Sequence, residues 1–375
     1  MDRIQSKSIL EDLEEKMVFL TGPRQVGKTT LAKSFSHPWS HLVYLNFDSF
    51  RDRRVIMKEE WDRKAPLVIF DEIHKFKKWK TKLKGVYDTE GIPPRILVTG
   101  SARLDIYRRG GDSLAGRYFK HRLYPFSVRE LKGQASAAEN LEALLKFGGF
   151  PEPLLAQSER KATRWRKQHV ERILREDVQD LEPVKDIRLL LLLIDLLRER
   201  VGSPISYSSL ARELEISPHT VKRWIEILEN MYIVFRVTPY HRSLSRALLK
   251  EPKLYFYDNA MVEGTDDIRL ENLVANCLLK YLHYLEDHEG VDVQLHYIRD
   301  KEKREVDFLC QINRQLKYLI EVKSSDSSLS PSLHYYHQRL PVDQSIQLVK
   351  KLGRAKTVKG IQVTHAADWL ESLDI

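Results

Sequence analysis

A chain of 375 residues is long for one domain and comfortable for two or three, so it can bury a sizeable core without disulfide staples. With 42% hydrophobic and 31% charged residues and no low-complexity tract, its composition excludes a disordered or fibrous protein. The net charge of +9 and a pI near 9.2 favour polyanionic partners, and the two cysteines, Cys277 and Cys310, lack metal-ligand or disulfide-scaffold spacing.

A reducing, cytoplasmic setting without a membrane span fits best. The start, Met1-Asp2-Arg3, turns charged at once, and the longest apolar run, 189–194, is cut by Asp195. In chain order, strand-like runs at 17–21, 41–47, 67–70, 96–99 and 121–124 alternate with helix-forming stretches such as 29–35 and 79–87. That is the α/β pattern of a parallel sheet covered on both faces. Gly148-Gly149-Phe150-Pro151-Glu152-Pro153 then punctuates the chain, and helical patterns rich in Arg, Glu and Leu run on to Gly202. Helices at 207–214 and 218–231, separated by Glu215-Ile216-Ser217, precede a strand at 232–237 and read as a helix-turn-helix with a wing. Beyond Lys253 a mixed α/β tail holds strands at 254–257, 306–310 and 318–322 and a helix at 270–284. The expected domains are therefore 1–147, 148–201, 202–252 and 253–375.

Gly22-Pro23-Arg24-Gln25-Val26-Gly27-Lys28-Thr29 satisfies G-x-x-x-x-G-K-[ST] directly after a predicted strand and before a predicted helix. In that context backbone N–H groups curl around phosphate oxygens, Lys28 reaches the β and γ phosphates, Thr29 ligates Mg²⁺ and Thr30 extends toward the α phosphate. Asp71 and Glu72 close the apolar strand 66–70, which suits Asp71 to the Mg²⁺ shell and Glu72 to the attacking water as general base. Ser101, after the fourth strand, is a candidate to hold that water. Arg117 is a candidate for the γ phosphate or for a local carboxylate, with Arg103, Arg108 and Arg109 in competition. The lysines 75, 77, 78, 80, 82 and 84 read as a solvated face, with Trp79 packing inward.

In the helix-turn-helix, Leu210, Leu214, Ile216 and Val221 supply an apolar centre, Ser217 caps the second helix and Pro218 opens it. His219, Thr220, Lys222 and Arg223 fall on or near its exposed face, where DNA contact and a role as rigid spacer or protein dock are equally open. In the tail, Asp307 and Glu321-Val322-Lys323 bring two carboxylates and an ammonium to one side of a sheet, with Glu271 on the preceding helix. Such a set suits Mg²⁺ with oxygen ligands, while an inactive fold used for interaction is the other reading.

The runs Thr-Gly-Pro-Arg-Gln-Val-Gly-Lys-Thr-Thr, Phe-Asp-Glu-Ile-His-Lys, Val-Thr-Gly-Ser-Ala-Arg and Leu-Ala-Gly-Arg…Leu-Tyr-Pro-Phe-Ser resemble prokaryotic AAA-type ATPases of the archaeal-ATPase kind. The resemblance extends over Gly148 to Glu152 and over Arg269-Leu270-Glu271-Asn272. It implies a core with strand order 5-1-4-3-2, a helical and winged-helix middle, and a tail like the PD-(D/E)XK (restriction-endonuclease-like) fold. It also implies ATP as the nucleotide, Ser101 as polar sensor and Arg117 as an arginine finger, in cis or from a neighbouring subunit of an oligomer. Two functions follow as expectations: a Mg²⁺-dependent ATPase coupled to DNA binding or processing, or a nucleotide-dependent switch that docks protein partners through an inactive tail.

Overall fold

The computed structural model describes residues 3–36, 41–92, 94–100, 114–178, 186–241, 251–325 and 328–373. Met1–Tyr124 and Pro125–Ile375 form two compact units. In the first, β1 (Met17–Thr21), β2 (Val43–Asn46), β3 (Leu67–Asp71), β4 (Arg95–Thr99) and β5 (Tyr118–Arg122) make one parallel sheet in the order β2-β3-β4-β1-β5. Read from the other edge this is 5-1-4-3-2, the order that the resemblance implies. Helices α1 (Ser6–Asp12), α2 (Lys28–Ser34), α3 (Phe50–Lys58) and α4 (Trp79–Glu90) accompany it.

Every residue of β1 and β3 is buried, because an inner parallel strand is covered on both faces; this is why both segments read as continuous apolar runs rather than alternating ones. Phe19 stacks on Tyr118 at 4.3 Å between ring centroids and packs with Trp79 in the core that lines one face. The fifth strand begins earlier than its expected 121–124, since Tyr118 and Phe119 already pair with Met17 and Val18.

The second unit begins with α5 (Ala137–Phe147), α6 (Pro151–Ala156), α7 (Glu159–Arg172) and α8 (Ile187–Arg198). The Gly148-Gly149 pair is structural: a Cβ on Gly148, at φ +78°, would lie 2.0 Å from Asp258 Oδ1, and one on Gly149 would lie 2.6 Å from the Phe126 carbonyl oxygen. Only glycine lets those segments approach so closely. Next come α9 (Tyr207–Glu213) and α10 (Pro218–Asn230), with the Ser217 hydroxyl accepting from the Thr220 N–H and Pro218 in the first turn, as expected. Leu210, Leu214 and Val221 are buried, whereas Ile216 is half-buried in the turn.

A sheet in the order β12-β13-β11-β10-β9-β8-β6-β7 forms the rest. Its strands are β6 (Val234–Pro239), β7 (Lys253–Phe256), β8 (Val293–Arg299), β9 (Glu305–Ile312), β10 (Gln315–Lys323), β11 (Val342–Val349), β12 (Lys356–Val358) and β13 (Ile361–His365). They are accompanied by α11 (Asp266–Glu289), α12 (Pro331–His337) and α13 (Ala366–Glu371). The expected division at 252/253 runs between β6 and β7, which pair antiparallel from Val234 opposite Phe256 to Val237 opposite Lys253. β6 also joins β8 in parallel, so the strand after α10 and the C-terminal strands share one sheet. The buried Lys280–Glu130 ion pair, with Lys280 also donating to the Pro125 carbonyl, ties α11 to the segment that opens this unit.

Candidate functional site

Parallel register brings four strand ends together in the first unit: Asn46 lies opposite Asp71, Asp71 opposite Thr99, and Leu20 opposite Thr99. The loop 22–27 leaves β1 at this edge and delivers α2. Its backbone departs from ordinary geometry at Gly22 (φ +137°), Gln25 (φ +61°) and Gly27 (φ +101°). A Cβ on Gly22 would stand 2.1 Å from the Leu123 carbonyl oxygen, so the first glycine of the motif is fixed by the strand beside it. Lys28 is buried, and its ammonium donates to the carbonyls of Gly22 at 3.0 Å and Pro23 at 2.6 Å, arching across the loop. Val26 is buried beneath it, while Gln25 and Thr30 are exposed and Arg24 and Thr29 half-buried.

Asp71 collects three hydroxyl donors: Thr29 at 2.8 Å and Tyr44 at 2.7 Å on Oδ2, and Thr99 at 2.6 Å on Oδ1. Burial, and then Asp71, push the Tyr44 phenol above its ordinary range, so it remains a donor to the carboxylate. A hydroxyl and a carboxylate in contact at a phosphate loop are hard oxygen donors that fit Mg²⁺. Glu72 follows in the left-handed region at φ +58°, its N–H donating to the Thr99 carbonyl, an uncommon conformation for a residue with a side chain. Its carboxylate faces His74 at 3.6 Å and Lys75 at 3.4 Å, and Lys75 reaches on to Asp48 at 2.5 Å. Burial raises the Glu72 pKa, with Lys75 opposing and Asp71 adding to the rise.

Ser101, Arg103, Arg108 and Arg109 lie outside the described residues. Arg117 donates through Nε and Nη2 to Asp88 at 2.7 and 3.1 Å, and its carbonyl accepts from the Met17 N–H. It therefore stands at the start of β5, while the phosphate loop leaves the far end of β1. At a rise of about 3.3 Å per residue, the length of β1 puts roughly 13–16 Å between them. Trp79 is buried as expected; Lys75, Lys77 and Lys78 are exposed, whereas Lys80, Lys82 and Lys84 are half-buried.

In the second unit, β9 and β10 run antiparallel with Phe308 opposite Ile320, a register that sets Asp307 beside Glu321. Asp307 Oδ2 accepts from the Val322 N–H at 2.8 Å, and Lys323 pairs with Glu321 at 2.9 Å. Burial, then Glu321 and Glu271, raise the Asp307 pKa well above its ordinary value against the pull of Lys253 and the Val322 N–H. Val322 is buried too, since β10 lies within the sheet and is covered on both faces. Glu271 approaches from α11, but its Oε1 already accepts from Tyr255 at 2.7 Å and pairs with Lys253 at 3.2 Å. Among the described residues no group of three or more His, Cys, Asp or Glu side chains is arranged to hold a metal ion. On α10, His219, Lys222 and Arg223 are exposed and Thr220 half-exposed.

Sequence reasoning assigned no role to Tyr44, Thr99, His74 or Lys253. Thr99 carried a signal as the polar residue closing an apolar strand, and Lys253 another as the charge opening the run Leu254-Tyr255-Phe256-Tyr257.

An AAA domain model matches residues 14–132, and two domains of unknown function follow, DUF8612 over 138–269 and DUF4143 over 269–369. An uncharacterized protein of Mycobacterium tuberculosis is 25% identical over 259 residues, 67% of this chain and 57% of that protein, so the chain spans little more than half of that relative. Uncharacterized proteins of Haemophilus influenzae and Methanocaldococcus jannaschii are each 23% identical, over 94% of this chain and 93% and 81% of theirs. Among solved structures, a Walker-type ATPase of Pyrococcus abyssi aligns with a TM-score of 0.40 and 16% identity, over 69% of this chain and 94% of its own. RuvB of Thermotoga maritima aligns with a TM-score of 0.31 and 18% identity, over 62% and 88%. Among the described residues no helix is long and apolar enough to cross a membrane.

Proposed function

We propose that this chain binds and hydrolyses Mg²⁺-ATP at the C-terminal edge of its parallel sheet and uses the cycle to change how its C-terminal unit engages DNA. The observation that carries the ATP reading is the contact of Thr29 with Asp71 beneath a complete phosphate loop, with Glu72 next in the chain. The AAA match over 14–132 supports it.

Each residue then has a task. The amides of Gly22 to Thr29 hold the β and γ phosphates, and Lys28 exchanges its two loop carbonyls for phosphate oxygens. Thr29 and Asp71 would hold Mg²⁺, which when bound neutralises charge developing on the phosphates. Glu72 takes the proton of the attacking water, and burial, by raising its pKa, makes the ionised carboxylate a stronger base. Ser101 is assigned to the water as polar sensor. Because Arg117 stands at the opposite edge of its own sheet, its finger role belongs to a neighbouring copy in an oligomer, where it would exchange Asp88 for the γ phosphate.

The exposed His219, Lys222 and Arg223 on α10, in the setting of a winged helix, supply the phosphate-contacting face for DNA, in line with the +9 charge. The second reading is a switch that docks protein partners through a nuclease-like tail which does not cut. The pairing of Glu271 with Lys253 favours it. Steady-state ATP turnover with and without duplex and branched DNA at two salt concentrations separates the two. Salt-sensitive stimulation by DNA supports the first reading, whereas DNA-independent turnover by a chain that binds no DNA sinks it.

A further inference from the structure

Lys253 is among the most deeply buried large side chains of the protein, 1% exposed, although it opens a strand. Its ammonium pairs with Glu305 at 2.7 Å and with Glu271 at 3.2 Å, and lies over the Tyr297 ring at 5.4 Å from the centroid. These partners come from β8, β9 and α11, so one cation gathers three elements around it. Gly202, at φ +75°, backs the same group: a Cβ there would meet the two Glu271 oxygens at 2.9 and 3.0 Å. Burial acts to lower the Lys253 pKa, yet Glu271, Asp307 and Glu305 together hold it above its ordinary value, so the side chain stays charged.

The tail, taken as PD-(D/E)XK-like, calls for a divalent ion held by Asp307, Glu321 and Glu271. The residues do not fit that ion. Mg²⁺ demands near-octahedral oxygen coordination at about 2.0–2.1 Å and keeps several waters, which needs free carboxylate oxygens and space. Here Glu271 Oε1 is taken by Lys253 and Tyr255, Asp307 Oδ2 by the Val322 N–H and Glu321 Oε1 by Lys323; Glu321 Oε2 is buried without a hydrogen-bond partner, but among the described residues no three His, Cys, Asp or Glu side chains are arranged to hold a metal ion.

We infer that Lys253 is a built-in replacement for the metal of a nuclease-like site: its ammonium pairs with Glu271 and Glu305 in place of a divalent ion, and the tail binds its partner without cutting it. The inference rests on the nuclease-like reading of the tail and deepens the second functional reading, because it makes the carboxylate cluster a structural centre that no divalent ion fills.

The test is a Mn²⁺ titration of the full chain without nucleotide, with free Mn²⁺ followed by its electron paramagnetic resonance signal. Asp71→Asn and Asp307→Asn serve to assign any site to the first or second unit. The parent should show no site that Asp307→Asn removes. Lys253→Met should gain one, about tenfold or more tighter than any parent binding, that Asp307→Asn abolishes, because loss of the ammonium leaves buried carboxylates uncompensated. Lys253→Met/Glu305→Gln, with less repulsion, is read in the same way if the single variant does not fold; if neither folds, the parent titration decides. A parent site lost with Asp307→Asn, or a folded Lys253 variant that gains no site, overturns the inference. Neither result touches the ATP reading, which depends on Lys28 and Asp71 with nucleotide present.

Discussion

Gly22→Ala is the sharpest perturbation the geometry offers. The added methyl would sit 2.1 Å from the Leu123 carbonyl oxygen, where a carbon and an oxygen rest at about 3.2 Å or more, so something must move by roughly 1 Å. Leu123 cannot yield easily, since its N–H donates to the Thr21 carbonyl at 2.9 Å in line with the β1–β5 ladder. The loop must therefore swing outward, and φ +137° adds backbone strain of about 1–3 kcal/mol for a residue with a side chain. A loss of about 2 kcal/mol lowers Tm by about 5–10 °C in a domain of this size, leaving it folded at 25 °C. Displacing phosphate-holding amides by 1 Å should weaken Mg²⁺-ATP binding by about 100-fold. Calorimetric titration with a non-hydrolysable ATP analogue, beside thermal unfolding, measures both. A Gly22→Ala chain that binds the analogue as tightly as the parent would refute the claim that Leu123 pins the loop.

Turnover should fall as pH drops through the raised pKa of Glu72, because the base must be ionised; Lys75 opposes that rise, so Lys75→Met should move the acid limb of the kcat profile to higher pH. A limb that stays or moves down contradicts the pairing. Tyr44→Phe removes one of three hydrogen bonds to Asp71 and should raise the Mg²⁺ concentration for half-maximal turnover about tenfold, the worth of one bond to a charged group, with binding of metal-free ATP unchanged. Burial lifts the Asp258 carboxyl from 3.8 to about 6, against the opposing Arg166. The folded chain therefore takes up its proton before the unfolded chain as pH falls, and this group's contribution to stability is gained from about pH 6 down to 4 and lost on the way back up. Asp258→Asn should erase about 3 kcal/mol of that slope, as two pKa units require, in urea unfolding across pH 4–7. An unchanged slope would show that another group carries it.

The phosphate loop was legible because its chemistry is local: a glycine-framed run between an apolar strand and a helix states its own geometry. Asp71 and Glu72 were legible for the same reason, at the end of a strand that could only be buried. Tyr44 was not, because its role comes from the register that sets β2 against β3, and nothing in 43–46 announces which neighbour it will meet. Arg117 shows the limit of motif order, since five residues of β5 separate it from the edge where the phosphates would lie. In the tail, alternation placed Glu321 and Lys323 on one side correctly, as their 2.9 Å pair shows. Lys253 was hidden because its partners lie 18 and 52 residues away, on a helix and a strand that only the assembled sheet brings together. The joining of β6 to β8 is likewise a long-range pairing, so a boundary drawn from composition fell between paired strands.

The central claim is tested most directly by steady-state phosphate release from Mg²⁺-ATP, with nucleotide binding measured on the same samples, for the parent, Lys28→Ala and Glu72→Gln. The parent should turn over, Lys28→Ala should bind no nucleotide, and Glu72→Gln should bind ATP as the parent does while releasing phosphate about 100- to 1,000-fold more slowly. Parent-like turnover in either variant would contradict the account.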